Sequence, residues 1–178
     1  ICQQILQVDP KNSDALHGLG IIAVSQKNYA RAVKLIQQAI SYTPSVPFFY
    51  NSLGNVYWYQ NKLLEASHAY RQALMIKPDY VEAYNGLGNV LSDQGQLEEA
   101  ARCYQQAIAL NPNYAQAHNG LGNVLREQSQ LVAAETCYQR AVSLSPTYAE
   151  AYNNFGGLLC EMGQLEEAQQ CCQRALTL

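Results

Sequence analysis

Residues 81–112 have the sequence VEAYNGLGNVLSDQGQLEEAARCYQQAIALNP, and this stretch contains the whole pattern on which the chain is built. Apolar residues recur every three or four positions over residues 83–91 and again over 97–108, which is the spacing of one face of an α-helix. Gly95 lies between the two runs, and glycine readily adopts the left-handed conformation that ends a helix. Pro112 stops the second run because proline has no backbone N–H. The stretch therefore predicts two consecutive helices.

The same pattern repeats along the chain with a period of 34 residues. A Leu-Gly or Phe-Gly pair and two alanines return in every period, and so does a proline. A fixed internal period of this length is typical of repeat architectures. The prolines are Pro10, Pro44, Pro78, Pro112 and Pro146. We predict helices over 13–26, 29–42, 47–60, 63–76, 81–94, 97–110, 115–128, 131–144, 149–162 and 165–178, after a leading half-unit at 1–9.

The repeated positions resemble the tetratricopeptide repeat family. YNGLGNVL over residues 84–91, AARCY over 100–104 and Pro112 follow the pattern of that family, apart from exchanges between aromatic and aliphatic residues. The resemblance implies an all-α, right-handed superhelical solenoid of antiparallel helix pairs in a single domain. Its units are a leading half-repeat at 1–12 and repeats at 13–46, 47–80, 81–114, 115–148 and 149–178. Departures from the pattern occur at Leu16, Ala23, Lys27, Ser129 and Cys172.

In this family the first helices of the repeats line a concave groove that holds an extended peptide or a helix of a partner. Here those helices carry asparagine pairs spaced by four residues, on a face distinct from the apolar one. A carboxamide both donates and accepts hydrogen bonds, so it can bind the backbone of a peptide. The alternative is that the asparagines bond to one another or to neighbouring helices and stabilise the stack. The pairs are Asn51 and Asn55, Asn85 and Asn89, and Asn119 and Asn123.

The remainder of the same face is acidic or neutral. It carries Asp93 and Glu127, and Arg126 is the one basic residue that we place there. Members of the family that grip the C-terminal carboxylates of chaperones use lysine and arginine at such positions. The resemblance therefore implies a groove for a peptide backbone rather than for a charged terminus.

Aromatic residues distinguish the second repeat. Phe48, Trp58 and Tyr59 share the stripe of the asparagines, and we expect them to form an exposed group. Tryptophan and tyrosine are enriched among residues that dominate binding energy, and an exposed aromatic patch marks a partner site. The alternative is that Phe48 and Trp58 pack on the neighbouring units.

Composition excludes several classes of protein. The net charge is −3 with eleven scattered basic residues, so no nucleic-acid partner is expected. No apolar run approaches the length of a membrane span. The six cysteines lack the close pairs of a zinc site. Because the sequence shows no nucleophile–base pair, we expect no enzyme activity. We also expect no bound metal and no cofactor. A cytoplasmic location is expected, because no disulfide pattern or glycosylation sequon is present.

The leading hypothesis is thus a non-catalytic scaffold that binds a protein or peptide partner. An alternative is a substrate-docking arm, because the repeats are similar to those of O-linked N-acetylglucosamine transferases and of long bacterial arrays. In those arms the asparagine that holds the peptide precedes the Leu-Gly pair, and only Asn154 has that place here. Another alternative is end-to-end self-association through an exposed apolar face of the last helix. That face comprises Leu165, Ala168, Cys172 and Leu176. Because the sequence begins at Ile1 within a helical pattern, we expect it to be part of a longer protein.

Overall fold

A computed structural model describes residues 2–178, which form helices and no strand. Ten of the eleven helices lie within two residues of the bounds predicted for the five units, and the remaining helix fills the leading half-unit. The all-α class of antiparallel helix-pair repeats is therefore confirmed. The helices are α1 (Cys2–Val8), α2 (Ser13–Ser25), α3 (Tyr29–Tyr42), α4 (Pro47–Tyr59), α5 (Leu63–Ile76), α6 (Val81–Asp93), α7 (Leu97–Leu110), α8 (Ala115–Glu127), α9 (Leu131–Leu144), α10 (Ala149–Glu161) and α11 (Leu165–Leu176).

Local sequence signals fix where several of these helices begin. The Asn12 side chain accepts a hydrogen bond from the Ala15 amide at 3.0 Å, and Asn28 does the same for Arg31 at 3.2 Å. Both satisfy backbone donors that the first turn of a helix leaves free. Pro47 begins α4, where its missing N–H costs nothing.

The chain divides into two compact units, residues 1–90 and 91–178. In the first unit α2 packs on α3 and α4 on α5. In the second unit α8 packs on α9 and α10 on α11. The single solenoid domain that the resemblance implies stays a prediction.

Buried tyrosines explain the glycines inside the first helices. A Cβ atom at Gly54 would lie 2.8 Å from the Tyr70 ring, and one at Gly86 would lie 2.5 Å from the same ring. Gly120 stands in the same relation to Tyr104, at 2.4 Å. Each ring thus fills the space that a side chain would need. Glycine inside a helix costs about 1 kcal/mol relative to alanine, and close packing against an aromatic ring is the reason for it here.

The turn inside each repeat keeps one backbone geometry whatever residue occupies it. Gly95 and Gly163 have φ of 72° and 77°. Lys27, Asn61 and Ser129 occupy the equivalent turns with φ of 57°, 57° and 61°. Residues other than glycine adopt this conformation at a cost of about 1–2 kcal/mol. The departures from the family pattern at Lys27 and Ser129 therefore leave the turn intact but strained.

Candidate functional site

The second asparagine of a pair binds a buried tyrosine hydroxyl in both units. Tyr70 donates to Asn55 Oδ1 at 2.6 Å, and Tyr138 donates to Asn123 Oδ1 at 2.7 Å. The tyrosines come from the second helix of the same repeat and are fully buried. Burial raises the pKa of Tyr138 to about 12, although Arg126 acts in the opposite direction. These two asparagines thus serve the packing of the repeat.

The residue at the first position of the pair takes part in a different hydrogen bond, which joins one repeat to the next. In the first repeat this position is occupied by His17, 34 residues before Asn51. In residues 1–90, His17 Nε2 and Ser52 Oγ are 2.9 Å apart. In residues 91–178, Asn154 donates to Asn119 Oδ1 at 3.1 Å, and the Asn119 amide nitrogen lies 3.3 Å from Glu150 Oε1. Both inter-repeat bonds join residues that are 35 positions apart on successive first helices.

Asn51 has the same position but no such partner. The residue 35 positions after Asn51 is Gly86, which has no side chain that could form a hydrogen bond with it. The Tyr70 ring fills the space that a side chain at Gly86 would need. Asn51 is only 6% exposed, and its Oδ1 atom is buried without a hydrogen-bond partner among the described residues. Asn85 Oδ1 is in the same state. A buried acceptor left unpaired costs about 1–3 kcal/mol, so these two atoms are candidates for a ligand N–H.

A polar cavity of about 560 Å³ lies within residues 91–178. Arg126 donates through Nε to both carboxylate oxygens of Glu161, at 3.1 Å each. The guanidinium holds the pKa of Glu161 below its usual range. The structure brings five of the predicted site residues to this cavity, and the carboxylates of Asp93 and Glu127 make it acidic as expected. Its lining is Ser92, Asp93, Asn123, Arg126, Glu127, Asn154 and Glu161.

The expected aromatic group is divided between the two ends of α4. Phe48 is exposed and packs against His17, with ring centroids 4.8 Å apart. Trp58 is partly buried and lies 5.8 Å from the exposed Tyr59, which in turn lies 6.0 Å from Tyr29. Ten residues of helix separate Phe48 from Trp58, a rise of about 15 Å. The prediction of one aromatic group is wrong because the shared stripe runs the length of the helix.

The remaining predicted residues are Asn89 and the apolar residues of the last helix. Asn89 is partly exposed on α6. In the last helix Leu165, Cys172 and Leu176 are exposed, but Ala168 is 2% exposed. Ala168 therefore belongs to the core of its repeat, and the prediction that it is exposed is wrong.

None of the helices in residues 2–178 combines the length and the apolar character that crossing a membrane requires. That part of the chain also brings no three His, Cys, Asp or Glu side chains together as metal ligands. Its cysteines are all free thiols.

Family models match most of the chain. The TPR repeat model matches residues 54–95 and 88–129. Further tetratricopeptide repeat models match residues 3–47, 115–148 and 137–170. No curated protein sequence matches the chain significantly.

Solved structures of similar fold share little sequence with the chain. PilF of Pseudomonas aeruginosa is 20% identical with a TM-score of 0.85, over 94% of this chain and 77% of its own. A thermophilic TPR protein of Thermus thermophilus is 23% identical with a TM-score of 0.81, over 93% and 90%. YrrB, described as a TPR protein with an unusual peptide-binding site, is 22% identical with a TM-score of 0.71, over 99% and 91%.

Proposed function

Because the chain belongs to the tetratricopeptide repeat family, we propose that it is a protein-interaction scaffold that binds an extended peptide on the asparagine-bearing faces of its first helices. The similarity of its fold to YrrB, which has a peptide-binding site, supports a peptide as the ligand. The identity between the two chains is only 22%, so the likeness supports the kind of ligand and not particular site residues.

The observation that carries the proposal is the pair of unpartnered acceptors, Asn51 Oδ1 and Asn85 Oδ1. They lie at equivalent positions on successive first helices, α4 and α6. An extended peptide presents backbone N–H groups to both of its sides, and such groups bind a carboxamide oxygen whatever the side chains are. A bound peptide would therefore satisfy acceptors that the fold leaves unpaired, once rotation of each side chain brings its buried oxygen to the surface.

The acidic cavity of residues 91–178 supports a preference among peptides. The lining has three carboxylates, those of Asp93, Glu127 and Glu161, and one guanidinium, that of Arg126, so its formal charge is −2. Opposite charge across an interface favours encounter and like charge opposes it. Peptides with lysine or arginine are expected to bind better than peptides with aspartate or glutamate.

An array of short proline-containing peptides, which favour the extended conformation, tests the proposal. Asn85→Ala is expected to weaken the best peptides about tenfold, the value of one hydrogen bond of about 1.4 kcal/mol. Its melting temperature should stay unchanged, because the oxygen has no partner to lose.

Asn55→Ala and Gln105→Ala are the controls for this experiment. Asn55→Ala should lower stability with little effect on peptide binding, because its oxygen accepts from Tyr70. Gln105 is exposed on a second helix, so its replacement should change neither property. If Asn51→Ala and Asn85→Ala both bind the array as the unmodified chain does, the asparagine site is refuted.

Self-association is a second candidate, favoured by the exposed Leu165 and Leu176 of α11. A cavity of about 450 Å³ opens beside Leu176 between α10 and α11, and a second copy could fill it. Light scattering over a wide range of protein concentration tests this candidate. A constant monomer mass at high concentration would exclude it, and a Leu176→Gln variant should reduce any association that occurs. The bond that Asn154 donates to Asn119 Oδ1 counts against a docking arm, because it already engages the side chain that would hold the peptide.

A further inference from the structure

An apolar notch of about 500 Å³ opens between α3, α4 and α5, within residues 1–90. Tyr50, Leu53 and Tyr57 form its floor, and their spacing of three and four residues places them on one face of α4. Asn51 and Asn55 lie on another face of α4, since successive helical residues are rotated by about 100°. The notch is thus separate from the surface proposed for extended peptides.

The notch has the length of two helical turns. On α5 it extends from Leu64 to Gln72, eight residues that rise by about 12 Å. On α4 it extends from Tyr50 to Tyr57, a rise of about 10 Å. Leu64 lines the notch and is 76% exposed, so its side chain is available for contact with a partner.

Polar side chains also line the notch, namely those of Gln37, Glu65, His68 and Gln72. Gln37 Nε2 donates to the Tyr57 hydroxyl at 3.0 Å, which leaves the phenol proton for another acceptor. Burial, and then the charge of Glu65, raises the pKa of Tyr57. Glu65 is the one formally charged residue of the lining. Lys62, whose Nζ lies 6.0 Å from the Tyr57 ring centroid, is outside that lining.

The second unit contains the corresponding cavity three repeats later, and there it is polar. It holds about 380 Å³ and its lining includes Glu135, Gln139, Gln164, Glu167 and Gln170. At the positions of Tyr57, Leu64 and His68 the last repeat has Leu159, Glu166 and Gln170. The repeat geometry therefore produces a cavity in both units, and of these two cavities the one around α4 and α5 has the more apolar lining, although Phe155, Leu159 and Cys171 also line the other.

We propose that this notch binds the apolar face of a two-turn amphipathic helix from a partner protein, with a basic residue of that helix facing Glu65. A helix satisfies its own backbone hydrogen bonds, whereas an extended chain would place unpaired N–H and C=O groups on the apolar floor. Aliphatic side chains one turn apart on the partner helix would pack against the row that Tyr50, Leu53 and Tyr57 form on α4. The carboxylate at the edge provides the charge complementarity that selects a basic flank.

The probe for this proposal is a fluorescein-labelled alanine–glutamine peptide of about fifteen residues, long enough for partial helicity. It carries two leucines one helical turn apart and an arginine one turn further on. Fluorescence anisotropy is expected to show binding with a Kd of about 1 mM or below. The double variant Leu64→Glu with His68→Gln, which introduces residues of the last repeat, should bind at least tenfold more weakly. Both positions are exposed, so the melting temperature should stay unchanged.

Three controls decide between occupants. Val132→Glu makes the same kind of change at the equivalent position of residues 91–178, where the side chain is 73% exposed, and it should not affect binding. Glu65→Gln should reduce binding of the arginine probe about two- to fivefold, as expected for an exposed ion pair, and should remove the advantage of arginine over glutamate in the probe. A proline-interrupted probe with the same leucines should not bind.

The proposal is overturned if the helical probe does not bind at about 1 mM, if the double variant binds it normally, or if the proline-interrupted probe binds equally well. It stands apart from the proposed function. Asn85→Ala should leave binding of the helical probe unchanged, and the double variant should leave binding of extended peptides unchanged. Each site can therefore fail while the other is retained.

Discussion

Residues 1–90 and 91–178 have the same helix-pair construction but use the equivalent asparagine differently. In the first unit the Asn51 Oδ1 atom has no donor among the described residues, because Gly86 occupies the place of the residue that would donate to it. In the second unit Asn119 is bonded to Asn154, which occupies that place. The comparison shows that a residue in the next repeat decides whether the oxygen of such an asparagine is bonded within the structure or left unpaired. The repeat fixes the position of a side chain, and the neighbouring repeat sets its role.

The largest expected effect concerns the contact between a glycine and a buried tyrosine ring, which occurs separately within each unit. Gly86→Ala and Gly120→Ala should each destabilise the chain by about 2–3 kcal/mol, since a Cβ would overlap a buried ring. Gly157→Ala is the matched control, because the nearest group is the flexible end of Arg126 at 3.3 Å. It should be neutral or stabilise by up to about 1 kcal/mol. Urea unfolding measures all three, and equal losses in the three variants would contradict the ring contact.

The next effect separates the two units. Asn119→Leu should destabilise the chain by about 2 kcal/mol, because Asn154 loses its acceptor inside the structure. Asn51→Leu should be neutral or stabilise by about 1 kcal/mol, because it removes a buried oxygen that has no donor. Thermal unfolding of the two variants under the same conditions provides the measurement. Similar destabilisation by both would show that the two asparagines have the same structural role.

A smaller effect tests the strained turns, one in each unit. Lys27→Gly and Ser129→Gly should stabilise the chain by about 1 kcal/mol each, because glycine adopts positive φ without the steric cost of a Cβ. Gly95→Ala should produce a loss of similar size. Melting temperatures report these changes, and a loss of stability on introducing glycine would mean that the turn is not under strain.

The smallest effect belongs to Arg126 and Glu161, an ion pair of the second unit. The folded pKa of Glu161 is lowered by the guanidinium. Its contribution to stability is therefore present above the unfolded pKa and is lost as pH falls through the folded pKa. The stability difference between the unmodified chain and Glu161→Gln should be small at neutral pH, vanish in acid and decrease in high salt. A difference that grows in acid would contradict this assignment.

The local features of the fold follow from the sequence alone. The helices around Gly95 and Pro112 depend on apolar spacing and on two residues whose backbone preferences are known. The close approach at Gly86 also follows, since glycine inside a helix needs a packing reason. These features depend on residues near one another in the chain, or on the same residue returning at each period.

The site was less accessible to prediction because its contacts join different repeats. The partner of Asn119 lies 35 residues away, and one sequence does not show whether that spacing is used. A signal was nevertheless present in the position before each Leu-Gly or Phe-Gly pair, which holds glycine in three repeats and a side chain that can form hydrogen bonds, Ser52 or Asn154, in the other two. The separation of Phe48 from Trp58 could be recognised only once the bounds of α4 were known. The notch could not be predicted because it is formed by three helices together.

The inter-repeat bond also bears on how such a chain can change length by recombination. Deleting residues 47–80 would preserve the 34-residue period and every helix-pair motif. Yet Gly86 would then take the place of Ser52, and His17 would lose the hydroxyl to which it is bonded. Gain or loss of a whole repeat therefore alters the chemistry at the new junction even when the fold is kept, so repeats of this chain are not interchangeable parts.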